Sequence, residues 1–88
     1  MLLENCCLMG AYSHTTKAKE GKPAKTWLHL SFKILDPLYQ NKVGDIFDCY
    51  MMDPDKSDRK TPEDFSDLIG KHCMIDISNN FCNKVISN

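Results

Sequence analysis

The segment that most constrains the fold is residues 25–35, because its side chains alternate between apolar and polar. The apolar positions are Leu28, Leu30, Phe32 and Ile34. The polar face between them is formed by Trp27, His29, Ser31 and Lys33. Successive side chains of a strand point to opposite faces, so the pattern predicts a β-strand with one face in a core. We expect the other face, which carries the only tryptophan of the chain, to meet water or a ligand.

A long basic hairpin is predicted around the start of this strand. Residues 4–16 alternate weakly and are predicted to form a first strand, in which Gly10 indicates a bulge. In the loop at residues 17–24, Gly21 allows a positive φ and Pro23 fixes the return of the chain. The lysines around this turn are Lys17, Lys19, Lys22 and Lys25.

The rest of the chain predicts three more strands and one short helix. Asp36-Pro37 ends the second strand, and residues 38–45 predict a connection that closes with a turn. Strands are predicted at residues 46–52, 71–78 and 81–86, with a polar solvent loop at 53–60 and a tight turn at Asn79-Asn80. A helix is predicted from Thr61, a cap, to Gly70, a stop. Its apolar face is Phe65, Leu68 and Ile69.

This order of elements predicts a single, mainly β domain that spans residues 1–88. Five strands with one short helix between the third and the fourth are the order of the OB-fold, a small Greek-key barrel. The fold class predicted is therefore a five-stranded OB-fold-like small barrel with a long hairpin between its first two strands. A generic α+β sheet covered by one helix has the same order of elements and remains the alternative.

Several classes of protein are disfavoured by the composition. The apolar runs are too short to span a membrane, and the start of the chain has no basic region typical of a signal peptide, so we expect a cytoplasmic protein. The five cysteines form no CxxC pair, which favours reduced, buried thiols and predicts neither a metal site nor a cofactor. The three histidines fall on separate elements without a nucleophile at a recognisable spacing, so we expect no enzyme.

Charge is unevenly distributed, and the basic half is the half that contains the hairpin. Residues 1–42 have a balance of +3, whereas residues 43–88 have a balance of −4. Lysines beside exposed aromatic rings are what single-stranded nucleic acid requires, since phosphates meet the former and unpaired bases stack on the latter. The candidate binding residues are Tyr12, Lys17, Lys19, Lys22, Lys25, Trp27, His29 and Lys33. The alternatives are a core-edge Tyr12, a Trp27 that caps the barrel end, and a merely solvated lysine loop.

A resemblance adds to this interpretation. The chain has Gly21-Lys22-Pro23 before the strand that contains Thr26-Trp27-Leu28, then Phe47-Asp48-Cys49-Tyr50 and a closing hairpin. In size and order it resembles the small single-stranded-DNA-binding proteins of phages and mobile elements, of the filamentous-phage gene V type. The resemblance implies an OB-fold, non-enzymatic and often dimeric binding of single-stranded DNA in replication, and contacts through Tyr12, Lys22, Lys25 and Trp27. Single-stranded RNA is an alternative ligand.

A second hypothesis follows from the acidic half of the chain. Its carboxylates could imitate nucleic acid or meet a basic protein surface. They are Asp45, Asp48, Asp53, Asp55, Asp58, Glu63, Asp64 and Asp67. In that case the protein would be a small protein-binding inhibitor, such as a phage protein that blocks a host or defence complex, and its partner would be basic.

Overall fold

The computed structural model describes residues 1–36 and 46–87. The strands are β1 (Leu2–Thr15), β2 (Thr26–Ile34), β3 (Ile46–Met52), β4 (His72–Ser78) and β5 (Phe81–Ser87). Two 3₁₀ helices, Pro54–Lys56 and Pro62–Phe65, lie between β3 and β4. The predicted connection and turn at residues 38–45 lie outside the described residues.

The five strands form a closed barrel in the order β1-β2-β3-β5-β4. Four of the five contacts between neighbouring strands are antiparallel, and β3 meets β5 in parallel at the Met51–Phe81 pair. The long β1 pairs with β2 and also with β4, and it thereby closes the barrel. This architecture confirms the predicted five-stranded, OB-fold-like small barrel.

Irregularities in β1 allow this strand to bend, so that it pairs with β2 on one side and with β4 on the other. The register with β2 shifts between Leu8 and Gly10, so the predicted bulge at Gly10 is confirmed. A second shift, between Leu3 and Cys6, interrupts the pairing with β4. Bulges bend a strand and increase its twist, which a five-stranded sheet needs in order to close on itself.

The barrel interior is filled by one apolar cluster. The predicted inward face of β2 is confirmed, because Leu28, Leu30, Phe32 and Ile34 are all buried. Cys73, Ile75 and Ile77 of β4 are buried in the same cluster, as the alternation of this strand predicts. All five cysteines are free thiols. The expectation that they are buried is right for three, called here the core cysteines (Cys6, Cys73 and Cys82), and wrong for the exposed Cys49 and half-buried Cys7.

The turns adopt the backbone conformations that their sequences favour. Gly21 has a φ of 78° and lies beside the Lys19–Lys22 bridge that ends the first hairpin. Asn79 has a φ of 56° in the tight turn between β4 and β5, a conformation that asparagine tolerates better than most residues.

The predicted helix at residues 61–70 is shorter and tighter than expected. Only Pro62–Phe65 is helical, with 3₁₀ geometry, and turns continue to Gly70, whose φ is 81°. In a 3₁₀ arrangement residues three apart are aligned, so Phe65 and Leu68 both enter the core while Ile69 stays 42% exposed. The segment joins the core cluster through these two side chains, without a full apolar helix face. Among the described residues no helix is long and apolar enough to cross a membrane.

Candidate nucleic-acid interface

The strand registers bring several rings to the outside of one wall of the barrel. Directly opposed residues on neighbouring strands project from the same face. Tyr12 opposes His29, His14 opposes Trp27, and Lys33 opposes Phe47. Met51 of β3 opposes both His29 and, across the single parallel pair, Phe81. We call the resulting surface the outer aromatic face; it consists of Tyr12, His14, Trp27, His29, Phe47 and Phe81.

Trp27 lies near the start of β2 and shares a cleft with residues of the β4–β5 turn. Its ring centroid is 5.7 Å from that of Phe81, and the two planes are tilted by 51°. The ammonium of Lys25 lies 4.4 Å from the centroid of the Trp27 ring, within the range of a cation–π contact. Trp27 is half-buried at the rim, but it also lines an open cleft of about 430 Å³. The location of Trp27 therefore agrees both with a residue that caps the barrel end and with a residue that is open to a ligand.

Tyr12 is a surface ring, and the alternative of a core-edge position is wrong. The residue is 61% exposed. Its ring lies across the backbone of Gly10, so close that a Cβ atom at Gly10 would be 2.7 Å from Tyr12 Oη. The absence of a side chain at Gly10 therefore leaves room for the Tyr12 ring next to the bulge, while most of the residue stays open to solvent.

The two histidines of the outer aromatic face, His14 and His29, contact each other. The rings of His14 and His29 have centroids 5.4 Å apart and a tilt of 49°. His29 is half-buried, and among the described residues its buried Nε2 atom has no hydrogen-bond partner. Unpaired buried polar atoms are uncommon in folded proteins, because the atom loses water without a replacement. His29 thus lies under the surface of the face, and the more exposed His14 covers it.

The predicted basic residues separate into three groups. Lys17, Lys19 and Lys22 are exposed near the tip of the hairpin and form no ion pair with a described residue. At a rise of about 3.4 Å per residue, Lys22 is roughly 17 Å along the hairpin from Trp27. Lys33 is half-buried, with its ammonium 6.0 Å from the centroid of the Phe47 ring. Of the basic residues in the sequence-based set, only the tip lysines therefore present their full charge to solvent.

The charge of Lys25 is largely offset by the acidic segment that follows β3. Its Nζ lies 2.9 Å from Oδ2 of Asp53 and 3.8 Å from Oδ2 of Asp55. The hydrogen bond from Lys25 lowers the pKa of the Asp53 carboxyl. Lys25 therefore contacts both the Trp27 ring and the 53–55 turn, and it has less charge to offer a phosphate than the sequence analysis expects. The predicted solvent loop at 53–60 is in part structured and tied to the hairpin.

Other carboxylates of the acidic half also have partners within the chain. The Asp64 carboxylate accepts from the backbone N–H groups of Lys60 and Thr61, and these bonds lower its pKa. Arg59 pairs with Asp67 at 2.8 Å, lowers the pKa of that carboxyl, and also donates to the backbone carbonyl of Asp64. These contacts organise the segment between β3 and β4 and leave fewer carboxylates for a basic protein partner.

Three rings of the outer aromatic face, those of His14, Phe47 and Phe81, are absent from the sequence-based set of binding residues. Phe47 is 58% exposed and Phe81 is 39% exposed. Alternation in β5 was a usable signal, because Phe81 precedes the buried Cys82 and must face outward. The contact between Trp27 and Phe81 could not be predicted in this way, since it depends on how the closed barrel brings β5 near β2 and beside β3.

Within the part of the chain that the structure describes, no group of three or more His, Cys, Asp or Glu side chains is arranged to hold a metal ion. Comparisons with protein families, curated proteins and solved structures yield no match. Because these comparisons yield no match, the fold alone defines the class of protein, which is a small closed β-barrel with the strand order of the OB-fold. The resemblance to phage single-stranded-DNA-binding proteins stays a prediction from the sequence.

Proposed function

We propose that this protein is a non-enzymatic binder of single-stranded DNA that uses the outer aromatic face and the tip lysines of the hairpin. The observation that carries the proposal is the pair of Trp27 and Phe81, which lie side by side on the outer wall and line an open cleft. This wall lies at β2 and β3 between the β1–β2 and β4–β5 connections. In OB-folds, the same region is where oligonucleotides bind.

The chemistry of the face fits unpaired bases better than a duplex. Tyr12 and Phe81 are exposed rings and the half-buried Trp27 lines a cleft, but the three offer few groups that could read the edges of paired bases in a groove. Stacking contributes roughly 1–3 kcal/mol per base, so three bases contribute about 3–9 kcal/mol. Association costs about 4–15 kcal/mol, which over most of this range exceeds the stacking contribution. Phosphate contacts by lysines must supply the remainder, which makes the affinity dependent on salt.

A titration tests the proposal directly. Oligothymidylate is added to the protein at low and at high salt while the fluorescence of Trp27, the only tryptophan, is recorded. We expect saturable quenching with micromolar or tighter affinity at low salt, weakening as salt is raised. A duplex of the same length should compete poorly. The absence of binding to any single strand at low salt would refute the proposal, and oligouridylate in parallel shows whether DNA or RNA is preferred.

The biological setting is proposed on the resemblance alone. A protein of this type would coat single strands in the cytoplasm during replication or recombination of a phage or plasmid, and it would act as a homodimer. Light scattering of the purified protein checks the last point, because a monomer has a mass of 10.1 kDa. The inhibitor hypothesis predicts instead that neutralising Asp58 and Glu63, exposed carboxylates without an ion pair among the described residues, abolishes capture of a basic protein partner.

A further inference from the structure

The cleft beside Trp27 does not end at the aromatic rings. We call it the aromatic cleft; its lining includes Trp27, Met52, Lys56, Phe81 and Asn83. A second cleft of about 230 Å³ shares three of its wall residues, Met52, Lys56 and Asn83. The two clefts therefore adjoin one another and form one trough around the end of β3 and the start of β5.

Three of the nine residues that line the second cleft are cationic, and we call it the basic cleft. Its cationic residues are Lys56, Arg59 and Lys84. Arg59 is paired with Asp67 and lies over the Phe65 ring, so its charge is mostly offset. Lys56 and Lys84 are exposed and form no ion pair with a described residue. One carboxylate, that of Asp58, lies on the walls of the basic cleft, and another, that of Asp53, lies on the walls of the aromatic cleft, where Lys25 pairs with it.

The trough supplies an unpaired cation near Trp27, which the outer aromatic face lacks. Lys25 is the cation nearest to the tryptophan, but Asp53 offsets its charge, and the tip lysines are far along the hairpin. A stacked base brings its phosphate with it, and that phosphate needs a cation within reach. Lys56, which belongs to both clefts, is the unpaired ammonium on the wall of the cleft that Trp27 lines.

We propose that the basic cleft is a phosphodiester-binding subsite, and that a bound single strand passes from the Trp27–Phe81 pair through the aromatic cleft to Lys56 and Lys84. This inference rests on the proposed function and specifies the path of the strand. The path crosses from β2 to β5 at the end of the barrel. The competing path would follow β2 and β3 along the outer wall towards Lys33 and Phe47, where the Lys33 ammonium already lies near a ring.

The test is the salt dependence of binding to oligothymidylate of about 16 nucleotides, the upper end of the range for one OB-fold. Each phosphate contact with a single strand contributes about 0.7 to the slope of log affinity against log salt. We expect Lys56→Ala and Lys84→Ala each to reduce the slope by about 0.7 and, at about 0.1 M salt, to weaken binding roughly fivefold. Lys56→Arg and Lys84→Arg retain the charge and should retain the slope.

The matched control is Lys71→Ala, and Lys33→Ala reports on the competing path. Lys71 is exposed and lines neither cleft, so its replacement should leave the slope unchanged. Wild-type slopes for both cleft variants, with a reduced slope for Lys33→Ala, would overturn the inference and favour the competing path. That result would leave the proposed function intact, whereas a wild-type protein that binds no single strand would refute the function itself. Unchanged thermal melting of the cleft variants excludes a folding defect, since both side chains are exposed.

Discussion

Replacing Gly10 by alanine should separate binding from stability, because the glycine shapes the surface on which Tyr12 rests. A Cβ atom at this position would lie 2.7 Å from Tyr12 Oη and 3.0 Å from both Cε2 and Cζ. Carbon atoms in favourable contact are about 3.5–4.0 Å apart, so the ring must move by roughly 0.5–1 Å or swing away. Tyr12 is 61% exposed and therefore has room to do so.

The stability of Gly10→Ala should be close to that of the wild type. Moving a side chain off its preferred rotamer costs about 0.5–1.5 kcal/mol. Alanine in a strand recovers about 0.5–1 kcal/mol relative to glycine, and Gly10 does not have the positive φ that would make alanine strained. The net change in the free energy of unfolding is therefore within about 1 kcal/mol, which corresponds to a melting shift of less than about 8 °C.

The affinity for oligothymidylate should fall much more than this. Loss of one stacked base costs roughly 1–3 kcal/mol, or about 5- to 150-fold in the dissociation constant. The assay is Trp27 quenching for Gly10→Ala, Tyr12→Ala and the double variant, as a double-mutant cycle. We expect Gly10→Ala to have no further effect once Tyr12 is gone. If Tyr12→Ala weakens binding while Gly10→Ala does not, the position of the ring over Gly10 is not the binding position.

Three further predictions concern the interactions that stabilise the barrel beneath the outer aromatic face. The lowered pKa of Asp53 means that its pairing with Lys25 stabilises the fold fully above the ordinary value of 3.8 and that this contribution is lost as pH falls through the lowered value. Lys25→Met should therefore melt below the wild type at neutral pH, and the two melting temperatures should converge in strong acid; a constant difference would contradict the pairing. Burial raises the pKa values of the core cysteines to between about 11 and about 12, so brief alkylation of the native protein should modify Cys49 and spare them, as mass spectrometry can show. Phe65→Ala should cost about 3–5 kcal/mol in chemical denaturation because the ring is fully buried, whereas Ile69→Ala, at an exposed position, should cost about 0.5 kcal/mol or less.

The parts of the fold that depend on local pattern were predictable from the sequence. Strict alternation around Leu30 defined the inward face of β2, and Gly10 and Asn79 marked a bulge and a tight turn because of their backbone preferences. The 3₁₀ geometry after Pro62 was not predictable, since Phe65, Leu68 and Ile69 fit an α-helix equally well in sequence. Burial of the first two and exposure of the third decide between the geometries.

The candidate site was only half predictable, because much of it is assembled from distant segments. Trp27 and Tyr12 follow from the alternation of the first hairpin. The approach of Phe81 to Trp27 and of Asp53 to Lys25 depends on barrel closure, which places β5 and the end of β3 beside the hairpin. No spacing within the sequence carries that information.

The most direct test of the central claim is a map of backbone amide chemical shifts in a titration with oligothymidylate. The account predicts that the largest changes occur on the outer aromatic face, at Tyr12, Trp27 and Phe81, and that β4 is least affected. Shifts confined to β4 or to residues 61–67, with these three rings unchanged, would contradict it.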